Sequence, residues 1–303
     1  MSDYYIVEAH AHAFQTREIG LQAMGGKTDT GYTGTIEDLL ASMKKSGISQ
    51  AVMLSMLPAG DMREAARGKI PQSVTPAQRQ EAEKEFEKVL LGRYQRRNQW
   101  MCEVGQGHPN LAPLLTTDPG LGRQAIREEL EGGLKKGAKG IKLHPNAQRF
   151  HPSGENMWPI YEIAQELGLP IVFDSGKFNS PVQYGEPEKF VGMLARFPKL
   201  TVILAHLGRG FYGQTRAIAP KYPNLCFDCS DVITADDDVA LSDTDLVSLI
   251  KAVGAERIMF GSDFPWYDPG PGIQRLLRLP FTEKEKRLIL GENALRIYKL
   301  PRR

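Results

Sequence analysis

Cysteine is scarce: Cys102, Cys226 and Cys229 are the only three among 303 residues. An odd, sparse set supplies no disulfide framework and points to a reducing, cytoplasmic compartment. Cys226 and Cys229 do form a C-x-x-C in "LCFDCS". On a strand, residues i and i+3 face opposite sides, so those thiols diverge and read as two small buried residues. Long apolar runs are also missing. No stretch reaches 18 residues, so no membrane span is expected. Asp3 and Glu8 interrupt the one early apolar run, which speaks against a signal segment there. An excess of one charge is absent, with 38 Lys and Arg against 36 Asp and Glu, mixed along the chain for a net +2. That is not the footprint of a nucleic-acid binder. A glycine-rich phosphate loop is absent after the first apolar run, where "AHAHAFQTRE" stands instead. A dinucleotide-binding open sheet would want that loop.

What the chain does have is alternation. Short, β-branched, nearly continuous apolar runs occur at 4–10, 51–56, 112–117, 139–144, 170–174, 201–206, 225–230 and 257–263. Such runs mark strands buried on both faces of a parallel sheet. Helical patterns lie between them, at 35–47, 121–137, 158–168, 186–198, 244–254 and 282–300, with a shorter one from Gly210 to about Tyr222. The first opens on Thr35 as an N-cap and stops at Gly47. Eight strands alternating with helices predict a single (β/α)₈ TIM-barrel domain over 1–303. Two insertions, at about 14–34 and 57–107, follow the C-terminal ends of strands 1 and 2. They are expected to form a lid or substrate loops, or else the contact surface of a homo-oligomer.

The strand ends carry the chemistry. Strand 1 holds His10 and His12, strand 4 Lys142 and His144, strand 5 Asp174, strand 6 His206 and strand 8 Asp263. Four of the six histidines therefore stand at strand ends. Residues i and i+2 share a face of a strand, and a barrel brings all C-terminal strand ends to one rim. Each residue alone has an ordinary structural role; together they predict a metal centre. Imidazoles with carboxylates suit Zn²⁺, Mn²⁺, Fe²⁺ or Co²⁺ better than Mg²⁺ alone. An open coordination position would take water, whose pKa such an ion lowers. Asp263 is the candidate ligand, general base, or both. His206 is the candidate general acid or neutral electrophile. Arg209 is a candidate grip for an anionic substrate. Trp266, with Tyr267, is a candidate aromatic wall. Glu8, Phe14 and Gln148 are further rim candidates.

H-x-H after the first strand, "GIKLHP", "VFDSG", "ILAHLG" and "FGSDFP", in this order, resemble the amidohydrolase superfamily, in its amidohydrolase-related branch of metal-dependent hydrolases and decarboxylases. The resemblance runs from Ile6 to "GENALRIYKL". It implies a divalent metal, Zn²⁺ or Mn²⁺, held by His10, His12, the strand-5 residue and Asp263. It implies His206 as an acid or base beside the metal. The chain departs from the family at strand 5, where Asp174 stands in place of a histidine. That carboxylate changes the site charge by one unit and favours a harder ion such as Mn²⁺. Some members carboxylate a strand-4 lysine to bridge two metals. Here Lys142 is expected instead to pair with Asp174 or, with His144, to meet a substrate carboxylate. The expected activity is hydrolysis of an amide, lactone or similar small carbonyl compound. The alternatives are nonoxidative decarboxylation at the same site and a binding barrel without catalysis.

Overall fold

The computed structural model describes residues 4–179, 182–234 and 239–303. Eight strands run parallel in the order β1 to β8: Ile6–His12, Ile48–Leu54, Leu111–Thr116, Gly140–Leu143, Ile171–Phe173, Val202–Leu204, Leu225–Asp228 and Ile258–Met259. Backbone hydrogen bonds then carry the end of β8 back to β1. Ala9 N donates to Phe260 O at 2.9 Å, Asp263 N to His10 O at 3.0 Å and His12 N to Phe264 O at 2.7 Å. A sheet that returns to its first strand has no free edge, and the molecule is a (β/α)₈ barrel.

Strands β4 to β8 are shorter than their apolar runs. Strand 8 is expected over 257–263, yet only Ile258 and Met259 are ladder residues. The remainder bends inward as the rim, because Gly261 lies against β1. A Cβ at Gly261 would stand 2.8 Å from the His10 Cβ. The run at 282–300 is expected as one helix. It is a helix at Glu283–Arg287, a π turn at Leu288–Glu292 and a helix at Asn293–Ile297.

Period two explains how the barrel is filled. Val172 lies two residues before Asp174, and Cys226 two before Asp228, so each pair shares a face. Val52, Leu114, Val172, Ile203, Cys226 and Met259 pack with Ala294 and Ile297 as one buried cluster. The opposite faces, with Ile141, Phe173, Phe227 and Cys229, pack against the surrounding helices in a larger cluster. Cys226 and Cys229 thus fall in different clusters, and all three cysteines are free and buried. Burying each of the Val, Leu, Ile, Met and Phe side chains among them stabilises the fold by roughly 1.5–3 kcal/mol.

Local signals set the helix ends. The Thr35 hydroxyl accepts from Asp38 N, and Gly47 takes φ +70°, a left-handed stop that suits glycine. The 14–34 segment carries a short helix, Arg17–Ala23. The 57–107 segment carries two, Ala59–Gly68 and Pro76–Gly107. Arg63 ties them to the barrel. It donates twice to Glu87 (2.7 and 2.8 Å) and twice to Asp118 (2.6 and 3.1 Å), just beyond β3.

Candidate metal centre

The groups expected at the rim come together there. His10 and His12 stand on β1 with ring centroids 5.3 Å apart, and His10 and His206 are 4.9 Å apart. His10 Nε2 is 3.5 Å from Asp263 Oδ1, and His12 Nε2 is 3.3 Å from the same oxygen. Ligands held about 2.1 Å from a tetrahedral ion lie about 3.4 Å from one another. The donor set of His10, His12 and Asp263 therefore has the chemistry and the spacing for a divalent cation.

Asp174 keeps different company. Its Oδ2 is 3.3 Å from His206 Nε2, 3.7 Å from His144 Nε2 and 3.8 Å from Lys142 Nζ. Lys142 is fully buried, and its Nζ also lies 3.3 Å from His10 Nε2. The lone pair on His10 Nε2 can serve the lysine or a cation, not both. His144 receives the N–H of Ala147 on Nδ1, while its own backbone N–H goes to Gln148 Oε1 at 2.8 Å. Gln148 in turn donates to Thr117 O and to the Tyr94 hydroxyl. The 57–107 segment thereby reaches the strand-4 loop through Tyr94.

Burial and neighbours push the titrating groups apart. Burial, aided by the Lys142 charge, lowers His10 to about 4. Burial likewise lowers His144 to about 4, against the pull of Asp174. For His206 burial works the other way from the result. The hydrogen bond and charge of Asp174, with Asp263 and Asp228 behind it, overcome burial and raise His206 to about 10. Asp263 is held well below the usual carboxylate range. Burial opposes this, and the His12 hydrogen bond with the His10 and His206 charges outweighs it. Burial raises Glu8 to about 8, so this carboxyl is mostly protonated at neutral pH.

Three of these rim positions have backbones that their residue types adopt reluctantly. His206, Asp231 and Asp263 have φ of 60°, 62° and 66°. Each left-handed non-glycine residue costs roughly 1–2 kcal/mol, and such strain gathers where side-chain aim matters. Above the rim lies a cleft of about 400 Å³. His12, His144, Asp174, His206 and Asp263 form its floor, with Arg209, Lys177, Phe178, Trp266 and Tyr267 around it. Trp266 packs edge-on against His12 at 5.1 Å, and Phe178 against His144 at 5.2 Å. Arg209 Nε is 2.7 Å from Asp231 Oδ2, so its grip already includes a carboxylate of the chain. A larger cleft of about 630 Å³ lies between the two helices of the 57–107 segment; no histidine lines it.

Asp228 was missed in the sequence, together with Ser230. Asp228 is fully buried at the end of β7, with Oδ2 2.9 Å from His10 Nδ1 and Oδ1 accepting from His206 N at 3.1 Å. The available signal was a carboxylate two residues after Cys226 in a strand otherwise destined for burial.

The amidohydrolase family model that groups "Amidohydro_2" proteins matches residues 57–300. The chain belongs to this amidohydrolase family. The matched span contains Asp174, His206 and Asp263 and begins after the two strand-1 histidines. Among curated proteins none matches the chain. Solved structures share the fold at low identity. An uncharacterised TIM-barrel protein of Bordetella bronchiseptica superposes with a TM-score of 0.72 at 18% identity, covering 98% of this chain and 99% of that one. A dihydroxybenzoic acid decarboxylase of a Polaromonas species, holding manganese and the inhibitor 2-nitroresorcinol, gives 0.70 at 17%, covering 99% and 98%. A 5-carboxyvanillate decarboxylase of Sphingomonas paucimobilis gives 0.68 at 16%, covering 99% and 100%. No helix among the described residues of this amidohydrolase is long and apolar enough to cross a membrane.

Proposed function

We propose that this amidohydrolase is a metal-dependent hydrolase of a small carbonyl compound, an amide, a lactone or a related bond. The observation that carries the reading is the opposed polarity of two neighbouring groups. Asp263 is an ionised acceptor, and His206 is a proton donor held charged by Asp174. Pairs of groups driven apart in this way are how one site runs acid and base chemistry at one pH. In this reading His10, His12 and Asp263 hold a divalent ion, Mn²⁺ or Zn²⁺. When bound, it would supply Lewis acidity toward a carbonyl oxygen and toward water. Asp263 takes the proton from the attacking water. His206 gives its Nε2 proton to the departing nitrogen or oxygen. Asp174 keeps His206 charged until that transfer, so its role is counter-ion to the acid rather than ligand. His144, beside Asp174 on the floor, meets a polar substrate atom, and the charge of Lys142 beneath them favours an anionic one. Trp266 supplies an apolar wall that limits water, and Arg209, shared with Asp231, orients an anionic substituent.

A second reading, nonoxidative decarboxylation, is favoured by the buried Lys142 ammonium beneath Asp174, whose positive charge under the cleft suits a substrate carboxylate. The manganese-bound decarboxylase among the structural neighbours points the same way. One experiment separates the two. The protein is loaded with Mn²⁺ or Zn²⁺ and given lactones, amides and hydroxybenzoates in ¹⁸O-water. Label entering a new carboxylate, without CO₂ release, is the expected result. CO₂ release with no label overturns hydrolysis in favour of decarboxylation. Loss of neither activity nor bound metal in a His10→Ala/His12→Ala double variant would overturn the metal centre itself.

A further inference from the structure

We infer that Asp228 is the positioning residue that fixes where the protons sit on both His10 and His206, so that each presents a defined Nε2 to the cleft. The inference rests on the metal-site reading above only for its consequence in metal affinity; the proton placement follows from the hydrogen bonds alone.

The argument is one of counting donors. An ionised carboxylate only accepts. Asp228 Oδ2 lies 2.9 Å from His10 Nδ1, so that nitrogen carries the proton. The lone pair of His10 is then on Nε2. The other side of the ring agrees: an ammonium has only donors, and Lys142 Nζ stands 3.3 Å from Nε2. Asp228 Oδ1 accepts from His206 N and Ser230 N, each at 3.1 Å, and from the Ser230 hydroxyl. The Ser230 hydroxyl has one proton, and Asp228 takes it. Toward His206 Nδ1, 2.9 Å away, Ser230 Oγ can therefore only accept. The Ser230 carbonyl, 3.2 Å from the same nitrogen, accepts as well. His206 Nδ1 is thus a fixed donor. Its exchangeable proton is the one on Nε2, opposite Asp174 at 3.3 Å. One buried carboxylate at the end of β7 orders a nitrogen on β1 and, through Ser230, a nitrogen in the turn just after β6. Outer partners that hold a ligand imidazole in one tautomer typically change metal affinity or activity by about 10–100-fold.

The test is Asp228→Asn. Three N–H and O–H donors converge on Oδ1, which requires the amide oxygen there. The amide NH₂ then faces His10 Nδ1, where an acceptor is needed. His10 must move its proton toward Nε2 or lose the contact. In metal-free protein, ¹⁵N-detected imidazole spectra should place the wild-type His10 proton on Nδ1 and show that state depleted in Asp228→Asn. Chelator competition with Mn²⁺ should show affinity lowered about 10–100-fold. Ser230→Ala leaves the Asp228 contact to His10 intact and should keep wild-type Mn²⁺ affinity. A wild-type His10 carrying its neutral-state proton on Nε2 overturns the inference without any variant, and so covers a variant that fails to fold. It is also overturned if Asp228→Asn keeps the Nδ1 proton, or if Ser230→Ala loses Mn²⁺ to the same degree. If the wild type holds no Mn²⁺, the metal reading falls, while the imidazole spectra still decide the proton placement.

Discussion

Glu8 offers a sharp test of the electrostatics beneath the rim, because its burial has a computable consequence. One oxygen, Oε1, accepts from His10 N at 3.0 Å and Ser262 N at 2.8 Å. The other, Oε2, is buried and has no hydrogen-bond partner among the described residues. Burial raises the carboxyl from 4.5 to about 8. Between those two values the folded protein keeps a proton that the unfolded chain has lost, so stability falls as pH rises. Integrating that difference from pH 5 to pH 8 gives a loss of roughly 3–4 kcal/mol assignable to this one side chain. Glu8→Gln removes the term and little else. The amide oxygen can keep both N–H contacts, and its NH₂ takes the place of the protonated Oε2. The assay is urea unfolding of metal-free protein at several pH values between 5 and 8. The variant should gain on the wild type steadily with pH, by about 3 kcal/mol at the alkaline end. Parallel stability curves for the two proteins would refute the claim that Glu8 is protonated in the fold.

Asp263→Asn should lower turnover by at least about 100-fold, the scale of a lost general base; near-normal turnover of a metal-loaded variant would remove Asp263 from that role. Asp174→Asn takes away the main support of the charged His206. Its imidazole, raised to about 10 in the wild type, should titrate well below that, as NMR of metal-free protein would read directly. An unchanged His206 titration would show that the Asp174 contact at 3.3 Å does not set its charge. Arg63→Ala strands Asp118, which is 1% exposed, without its cation. Removing one member of a buried ion pair costs about 3–5 kcal/mol. Chemical denaturation showing less than about 1 kcal/mol of loss would mean that water reaches Asp118.

Much of the fold was legible because a parallel barrel writes itself as apolar runs separated by amphipathic ones, and because caps such as Thr35 and Gly47 work through their immediate neighbours. The rim was legible for the same reason: period two aligns His10 with His12 and Lys142 with His144, and barrel closure brings the strand ends together. What pattern reading could not see depends on two strands at once. The end of strand 8 reads as strand to Asp263, yet it leaves the ladder after Met259, because Gly261 packs on His10 across a gap that only the closed barrel creates. Asp228 looked like one polar residue in a buried run. Its meaning comes from His10, 218 residues earlier in the chain. Arg209 read as a candidate grip for an anionic substrate, and its contact with Asp231 depends on the loop after β7. The helices at Arg17–Ala23 and Ala59–Gly68 lie in segments whose glycines and mixed charges mask a helical period.

The strained residues connect these pieces. His206, Asp231 and Asp263 each follow their strand with a left-handed backbone. The cost, roughly 1–2 kcal/mol at each, is met locally. Asp263 N donates to His10 O, His206 N to the Asp228 carboxylate, and the Asp231 carboxylate meets Arg209. In each case the partner is a neighbouring element that the barrel has already fixed. A turn held from outside in this way cannot relax without breaking a buried hydrogen bond. The side chain it carries is therefore aimed before any ligand arrives. Positioning of that kind lets a carboxylate and a charged imidazole remain close without the chain collapsing them into a simple ion pair: His206 gives its Nε2 side to Asp174, and Asp263 gives its Oδ1 to the strand-1 histidines. In the hydrolytic reading these two groups are the acid and the base, and backbone geometry of this kind is what would keep them apart.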